Sequence, residues 1–456
     1  MSPSAASSTV DRRTILAIAL PILLSNVSTP LLGLVDTAVV GRLPDPAYIG
    51  AVAVGALIFT FLFWGFGFLR MATTGLTAQA LGAGDPLEVR ASLGRSLLLA
   101  VGLGLSLIAL QQPIAAAAFA LLEGSEQVES LARGYFEVRI WSAPAALINY
   151  ALLGWFIGLA RSRRALVLQL VLNLCNMLLD LLFVLGLGWN VRGVACGTLL
   201  AEWLAALVGL AVAAHVLRGF GGSWRQAALF DVARLRRMLG VNRDIMIRTL
   251  ALLAVFAWFM AQGAKAGDVV LAANSILMQF IGVAAFFLDA LAFAAETLVG
   301  QAVGAAQREG LRAAARGTTE IAVALACGAT LLFFVLGPLS IDLLTVDTAA
   351  RAAARQYLPW AVAAPLAGVW CFQLDGIFIG ATRTREMRNA MLEALAIFAL
   401  AWWLLGRFGN HGLWAAFYVH YAARTGTLWA RYPRLVRSLP SEAERHAGGA
   451  AGQVEV

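Results

Sequence analysis

Two carboxylates stand in apolar stretches that otherwise carry no charge. Asp36 lies in the run LPILLSNVSTPLLGLVDTAVVG, and Asp180 ends the run LQLVLNLCNMLLD. An ionisable group near the centre of a bilayer costs roughly 2.5–3.5 kcal/mol on insertion scales, so a membrane segment that keeps one has a use for it. Two such acids on separate helices could bind a monovalent cation or share one proton. The alternative for Asp36 is a solvated position near the end of its helix.

The stretch that ends at Asp180 also carries amides. With about 3.6 residues per helical turn, four polar side chains fall within about 60° on one face. They are Gln169, Asn173, Asn176 and Asp180. Amides alone could hold neighbouring helices together, but the carboxylate in the stripe favours a cation or proton site. Thr198 on the next apolar stretch could add a hydroxyl, and oxygen ligands suit a hard monovalent ion or a proton.

A second group of charges interrupts the apolar stretches of the C-terminal half. Two of its acids, Asp289 and Glu296, are seven residues apart and share one helical face. The group consists of Arg248, Asp289, Glu296 and Asp375. These side chains could contact a substrate, or they could form a buried ion-pair network that stabilises this half of the chain. The sequence leaves both interpretations open.

The elements that carry these residues are long apolar runs. The chain is 60% hydrophobic and 13% charged, whereas soluble domains carry about 25% charged residues. Continuous runs of roughly 20 residues predict membrane-spanning α-helices and exclude a β-barrel. We predict an all-α membrane protein with twelve transmembrane helices near 14–40, 49–80, 93–122, 131–158, 165–187, 191–217, 240–263, 270–303, 317–344, 354–380, 388–408 and 411–432.

The chain repeats itself. The stretch GWFIGLARSR at 154–163 recurs as GIFIGATRTR at 376–385, and the same offset aligns LTAQALG at 76–82 with LVGQAVG at 298–304. Trp258 and Trp402 occupy the positions that correspond to the two lone acids of the first copy. Duplicated membrane units are typical of secondary transporters, whose substrate lies between the halves. We therefore predict an N-terminal six-helix lobe at 14–217, a linker at 218–239 and a C-terminal six-helix lobe at 240–432.

The basic residues predict the orientation in the membrane. Most Arg residues lie in the N-terminal segment, the even-numbered loops and the C-terminal segment. By the positive-inside rule, the N-terminal segment 1–13 and the tail 433–456 are cytoplasmic. The Gly- and Ala-rich composition of that tail predicts disorder. The formal net charge of +8 thus reflects topology, and we expect no nucleic-acid partner.

Sequence motifs for soluble chemistry are lacking. The chain contains no Walker A sequence, no G-x-S-x-G and no H-E-x-x-H, and its four cysteines have no ligand spacing. We therefore expect no enzymatic activity, no bound metal and no cofactor other than a coupling ion. Without an ATP-binding domain, transport would have to use an ion gradient.

Three runs resemble the MATE (multidrug and toxic compound extrusion) transporters, and above all their DinF-type branch. They are LPILLSNVSTPLLGLVDTAVVGRL, LRMATTGLTAQALGAGD and LNLCNMLLDLLFVLGLGWNVRGVACGT. The resemblance covers residues 12–435 and implies two six-helix lobes, related by a pseudo-two-fold axis along the membrane normal. It also implies a central cavity that opens alternately to each side of the membrane.

The resemblance also implies roles for individual residues. The cation site would consist of Asp36, Asn176, Asp180 and Thr198. Tyr135 and Asn149 would be further polar residues of the same lobe, and Pro21 would be the point at which the first helix bends. A proline inside a helix removes one backbone hydrogen bond, which makes bending easier.

We expect a monomeric antiporter of the inner membrane that exports amphipathic compounds, often cationic or aromatic. Inward flow of H⁺, or of Na⁺, would drive it, and the two adjacent acids favour H⁺. One alternative is a lipid-linked oligosaccharide flippase, which needs a strongly cationic cavity that Arg70 and Arg248 alone do not supply. A channel is less favoured, because a duplicated bundle with a bendable helix and coupled acids is typical of alternating access.

Overall fold

The chain folds into helices. The computed structural model describes residues 11–43, 45–121, 125–220 and 226–441, and none of these is in a β-strand. Most of the predicted disordered tail, from residue 442 onward, lies outside these ranges, as does most of the predicted N-terminal segment. The helices are α1 (Arg12–Val40), α2 (Pro46–Gly65), α3 (Phe68–Gly82), α4 (Pro86–Ala109), α5 (Gln111–Leu121), α6 (Glu126–Arg139), α7 (Ala143–Gly158), α8 (Ser162–Asp180), α9 (Asn190–Arg218), α10 (Gln226–Leu229), α11 (Val232–Lys265), α12 (Asp268–Gly304), α13 (Arg308–Leu344), α14 (Thr348–Gly380), α15 (Thr384–Leu405) and α16 (Gly409–Arg437).

Several helices begin at conventional start signals. Asp45 and Asp85 precede α2 and α4, and each aspartate accepts a hydrogen bond from a backbone N–H of the first helical turn. A proline follows each aspartate as the first helical residue. The N–H of that residue would have no acceptor within the helix, so its absence in proline costs no hydrogen bond. The sequence therefore determines these two helix starts locally.

Ten helical segments of the described chain are long and apolar enough to cross a membrane. One of them, Thr384–Arg437, contains both α15 and α16, which are joined by a single 3₁₀ turn at Gly406–Phe408. Another, Pro46–Gly82, contains α2 and α3. In addition, α1 is a helix of 29 residues. An all-helical membrane fold is confirmed.

The chain divides into two compact units. The first consists of Met1–Leu23, Ala78–Gly84 and Leu239–Val456, and the second of Leu24–Thr77 and Asp85–Met238. The first unit thus includes two short segments from the predicted N-terminal lobe, at the start of α1 and the end of α3. These two segments pack on residues of the C-terminal half and therefore belong to the same compact unit as that half.

The end of α3 shows how tight this packing is. Within the first unit, a Cβ atom added at Gly82 would meet the backbone of Gln301, and one added at Gly304 would meet the backbone of Gln79. The side-chain amide of Gln79 also donates to the carbonyl of Gly380, with an N–O distance of 3.0 Å. Gly82 and Gly304 are equivalent positions of the sequence repeat, so the same contact is made twice, in reciprocal form.

The backbone conformation at corresponding positions of the two copies is also the same. In the second unit, Ala160 follows α7 with φ 56°, and in the first unit Thr382 follows α14 with φ 52°. Both residues adopt the left-handed conformation, which is uncommon for residues other than glycine. The two positions correspond in the repeat, so the duplicated sequence forms the same strained turn in each unit.

Glycines in the repeated motif bring helices into backbone contact. Gly154 packs on the backbone of Arg70 in the second unit, and Gly376 packs on the backbone of Ala292 in the first. We expect Gly376→Ala to lower the stability by about 1–3 kcal/mol, because the new methyl group would force the two helices apart. The midpoint of thermal unfolding in detergent measures the effect.

A matched control is Gly328→Ala on α13, where an added Cβ has no neighbour within 4 Å. Replacing a helical glycine by alanine at such an open site favours the helix by roughly 0.5–1 kcal/mol. Unfolding midpoints that shift in the same direction for both variants would contradict the packing argument.

Candidate functional site

Asp180 lies at the end of α8, where the helix changes into a π-helical segment at Leu181–Gly186. Its side chain is fully buried. A Cβ atom at Gly197 of α9 would collide with the carboxylate, so this glycine leaves the space that the acid occupies. Single π-helical turns occur frequently at functional sites. The local backbone thus directs Asp180 against α9.

Asn176 connects Asp180 with Thr198 of the next helix. The amide nitrogen of Asn176 donates to Oδ2 of Asp180 at 3.1 Å and to the hydroxyl of Thr198 at 3.2 Å. The Thr198 hydroxyl in turn donates to the carbonyl of Val194. Asn176 and Asp180 are four residues apart and therefore on one helical face. The structure brings these three polar residues together.

Asp36 of α1 completes the group. Its carboxyl group lies within hydrogen-bonding reach of the Asp180 carboxyl group. One oxygen of each acid, Oδ1 in both cases, is buried and has no hydrogen-bond partner among the described residues. Two adjacent carboxylates in an apolar setting repel each other unless a proton or a cation is shared between them. This pair can therefore hold a monovalent cation or one proton.

Arg139 supplies the positive charge of the site. Its guanidinium interacts electrostatically with Asp36, Asp180 and Glu202. It also lies over the ring of Phe59, at 5.3 Å from the ring centroid. All three acids thus lie within electrostatic reach of the same guanidinium.

Glu202 was not among the residues predicted from the sequence. It is the lone acid of α9, and both its side chain and its backbone carbonyl accept hydrogen bonds from the amide of Asn149, at 2.8 and 3.0 Å. An isolated carboxylate in a 29-residue apolar helix is the same signal that identified Asp36 and Asp180. Tyr135 is buried in the same unit, and its hydroxyl interacts with Arg139.

The other half of the amide stripe has a different role. The amide of Gln169 donates to Asn173 at 3.0 Å, and the amide of Asn173 donates to the hydroxyl of Ser28 on α1 at 2.8 Å. These bonds connect α8 with α1, as expected of polar side chains that hold membrane helices together. The stripe therefore combines interhelical contacts at one end with the acid pair at the other.

Pro21 lies inside α1. The helix begins at Arg12, so Pro21 is beyond the first turn and removes a hydrogen bond from the helix interior. It is buried and belongs to the first compact unit, whereas Asp36 belongs to the second. The predicted hinge position and the acid are thus separated along one continuous helix.

In the C-terminal half, Asp375 of α14 sits between two arginines. Its Oδ2 atom accepts from Arg248 of α11 and from Arg424 of α16, the latter at 2.6 Å. All three side chains are buried. This arrangement favours the ion-pair network over direct substrate contact for Arg248 and Asp375. Arg424 was not predicted, although it interrupts an apolar run.

The remaining two acids of that group lie on α12. Asp289 is partly buried, and Glu296 is 1% exposed. The backbone carbonyl of Glu296 packs directly against Gly380, one of the repeated glycines. The structure therefore places Glu296 at a tight helix crossing.

Comparison with known proteins identifies similar chains. A sequence model of the MatE family matches residues 21–182 and 245–403. The chain is 43% identical over 426 residues to DNA damage-inducible protein F of Escherichia coli K12, covering 91% of this chain and 92% of that protein. It is 27% identical to a probable multidrug resistance protein NorM of Rhizobium meliloti, covering 89% of each.

A solved structure has the same fold. It is an outward-facing conformation of a multidrug resistance MATE family transporter of the MOP superfamily. The two superpose with a TM-score of 0.81 at 19% sequence identity, covering 93% of this chain and 96% of that one.

The Asp375 network allows a test of how much a buried ion pair contributes to stability compared with an exposed one. We expect Asp375→Asn to lower the stability by roughly 3–5 kcal/mol, because two guanidinium groups would remain buried without their shared carboxylate. Asp342→Asn is the matched control: Asp342 also pairs with two arginines, Arg351 and Arg355, but its side chain is 36% exposed. That exposed group contributes about 0–1 kcal/mol. Equal losses in unfolding midpoint would contradict a buried network.

Proposed function

This chain belongs to the MatE family, whose members are transporters rather than enzymes, and on that premise we propose that it is a proton-coupled antiporter. It exports amphipathic compounds, often cationic or aromatic, from the cytoplasm across the inner membrane. The relatives named as multidrug resistance proteins support small molecules as the transported substrates.

The proposed architecture has twelve membrane helices in two six-helix lobes, at 14–217 and 240–432, with a linker at 218–239. Counting α15 and α16 separately and adding α1 to the other long segments gives this number. The reciprocal contacts of Gly82 and Gly304 support a pseudo-two-fold relation, because two-fold symmetry generates contacts in such pairs. The distribution of arginines supports cytoplasmic termini.

The observation that most directly supports ion coupling is the pair of buried Oδ1 atoms on Asp36 and Asp180 that lack hydrogen-bond partners among the described residues. One proton between the two carboxyl groups removes their repulsion. Na⁺ would do the same with help from the oxygens of Asn176 and Thr198. We favour H⁺, because adjacent buried carboxyl groups readily retain one proton near neutral pH.

Drug export is coupled to ion entry if binding of the ion weakens binding of the drug, and the reverse. Protonation of Asp36 removes a charged acceptor from α1, so this helix loses one interaction that keeps it in a single arrangement. A bend at Pro21 then narrows the drug-binding space of the N-terminal lobe. Such coupling between two sites is typically worth about 1–3 kcal/mol.

We expect Asp36→Asn and Asp180→Asn each to abolish gradient-driven efflux, because neither variant can cycle between the charged and the shared-proton state. The measurement is drug efflux from cells or proteoliposomes, together with the amount of protein in the membrane. Asp268→Asn, at the exposed first residue of α12, is the matched control and should transport normally. Normal efflux by both site variants would exclude the proposed coupling.

The same proteoliposomes separate the two coupling ions. A pH gradient at equal Na⁺ should drive drug movement, and a Na⁺ gradient at equal pH should not. Drug movement driven by Na⁺ alone would replace the proton with Na⁺ at the same four residues. Movement driven by neither gradient would reject antiport.

We expect Pro21→Ala to reduce both efflux and the motion of α1, since the variant restores an interior hydrogen bond. Spin labels at Leu24 of α1 and Leu174 of α8, both exposed, report the motion at low and high pH. A label pair at Leu174 and Leu204 of α9, also exposed, is the control for general rearrangement. Unchanged efflux with wild-type pH-dependent distances would show that Pro21 is not the hinge.

A further inference from the structure

A cavity separates α4 from α9 in the second compact unit. Its volume is about 440 Å³, within the usual range of small-molecule sites, roughly 300–1,000 Å³. The walls are apolar and include Leu93, Leu210, Ala213 and Leu217. This cavity contains none of the residues of the acid pair, so it is distinct from the coupling site.

Two arginines line the same cavity. Arg90 of α4 is 8% exposed, and its guanidinium donates to the carbonyl of Leu217 in the last turn of α9 at 2.8 Å. Arg218, the last residue of α9, is exposed. No acidic residue is among the described residues that line the cavity. The site therefore combines an apolar trough with two positive charges where α9 ends.

Further positive charge lies close by. Arg161, just before α8, stacks over the ring of Phe220 at 5.6 Å from the ring centroid, two residues beyond Arg218. The acid nearest in sequence to Arg90 is Glu88, which is already paired with Arg95 and Arg234. The carbonyl end of α9 itself carries about half a negative charge, and the positive charges of these arginines exceed it, so the end of α9 favours an anion.

The sequence repeat provides an internal comparison. Near the end of α16, Arg308 donates to the carbonyl of Leu439 at 2.7 Å. Leu439 corresponds to Leu217, whereas Arg308 lies four residues, about one helical turn, before the position that corresponds to Arg90. An arginine at this carbonyl is therefore common to both copies. In the second copy, however, the positions of Ala213 and Ala214 are taken by Leu435 and Val436, both buried, and the position of Arg218 by Pro440. The open trough and its second guanidinium are thus not a requirement of the fold.

We propose that this cavity binds an anionic phospholipid, with the phosphate between Arg90 and Arg218 and one acyl chain along the leucines. Guanidinium groups suit phosphate, because two N–H donors of the planar guanidinium can bond to two phosphate oxygens at once. Basic pockets between membrane helices recognise anionic headgroups on the cytoplasmic side. A soluble anion would use the arginines but has no use for a leucine-lined trough, which selects the lipid. On the proposed orientation, the lipid comes from the inner leaflet.

The test is a titration of the purified transporter in detergent with dioleoylphosphatidylglycerol, followed by native mass spectrometry. We expect phosphatidylglycerol to bind more tightly than phosphatidylcholine. Arg218→Gln should weaken phosphatidylglycerol binding about fivefold, the effect of one interfacial positive charge. Ala214→Leu should weaken it as well without any change of charge, because the new side chain occupies the trough as in the second copy.

The matched control is Arg312→Gln, at the exposed position of α13 that corresponds to Arg90, and it should bind phosphatidylglycerol like the wild type. If Arg312→Gln and Arg218→Gln weakened phosphatidylglycerol binding equally, the binding would reflect nonspecific attraction between charges, and the proposed site would be rejected. Wild-type binding by Ala214→Leu would place the lipid elsewhere and overturn the proposal. Displacement of the lipid by millimolar inorganic phosphate would identify a soluble-anion site instead.

Discussion

The contact between two carboxyl groups in an apolar helix bundle is the interaction around which the N-terminal site is arranged. Asp180 is fully buried and Asp36 is partly buried. Two adjacent carboxylates in an apolar setting repel each other unless a proton or a cation offsets their charge. Gly197 makes the space for this pair, and Asn176 donates to one of the two acids. Arg139 offsets part of the charge. The surrounding residues thus hold the pair in place but leave Oδ1 of each acid without a hydrogen-bond partner among the described residues, and the proposed ion exchange rests on this feature.

The two copies of the repeat have opposite electrostatic properties. In the N-terminal copy, three acids share the single guanidinium of Arg139. In the C-terminal copy, Asp375 lies between Arg248 and Arg424 and is fully paired at one oxygen. A buried acid between two arginines has little reason to change its charge state, whereas a buried acid beside another acid does. Under the proposed function, the N-terminal copy contains the switch, and the ion pairs of the C-terminal copy hold its helices in a fixed arrangement.

Helical periodicity and the cost of buried charge were enough to single out Asp36, Asn176 and Asp180 from the sequence. The structure brings these residues together, and their role in ion binding stays a prediction. The same reasoning should have found Glu202 and Arg424, which are lone charges in apolar helices. Arg139 was missed as well, although it lies inside the predicted span 131–158 and ends α6 within the continuous helical span Glu126–Gly158. Which helix faces which is a property of tertiary packing. For that reason the bond between Asn173 and Ser28, and the packing of α3 on α12, could not be read from either segment alone.

The reciprocal contact of Gly82 with Gln301 and of Gly304 with Gln79 has an evolutionary consequence. A six-helix ancestor could make this contact with a second copy of itself, as one surface meeting its own equivalent in a homodimer. With both copies in one chain, each glycine is constrained by the backbone of the other copy. The acid positions had no such constraint, and Trp258 and Trp402 now stand where the first copy has Asp36 and Asp180. Gene fusion thus allowed two halves with one shape to acquire different chemistry.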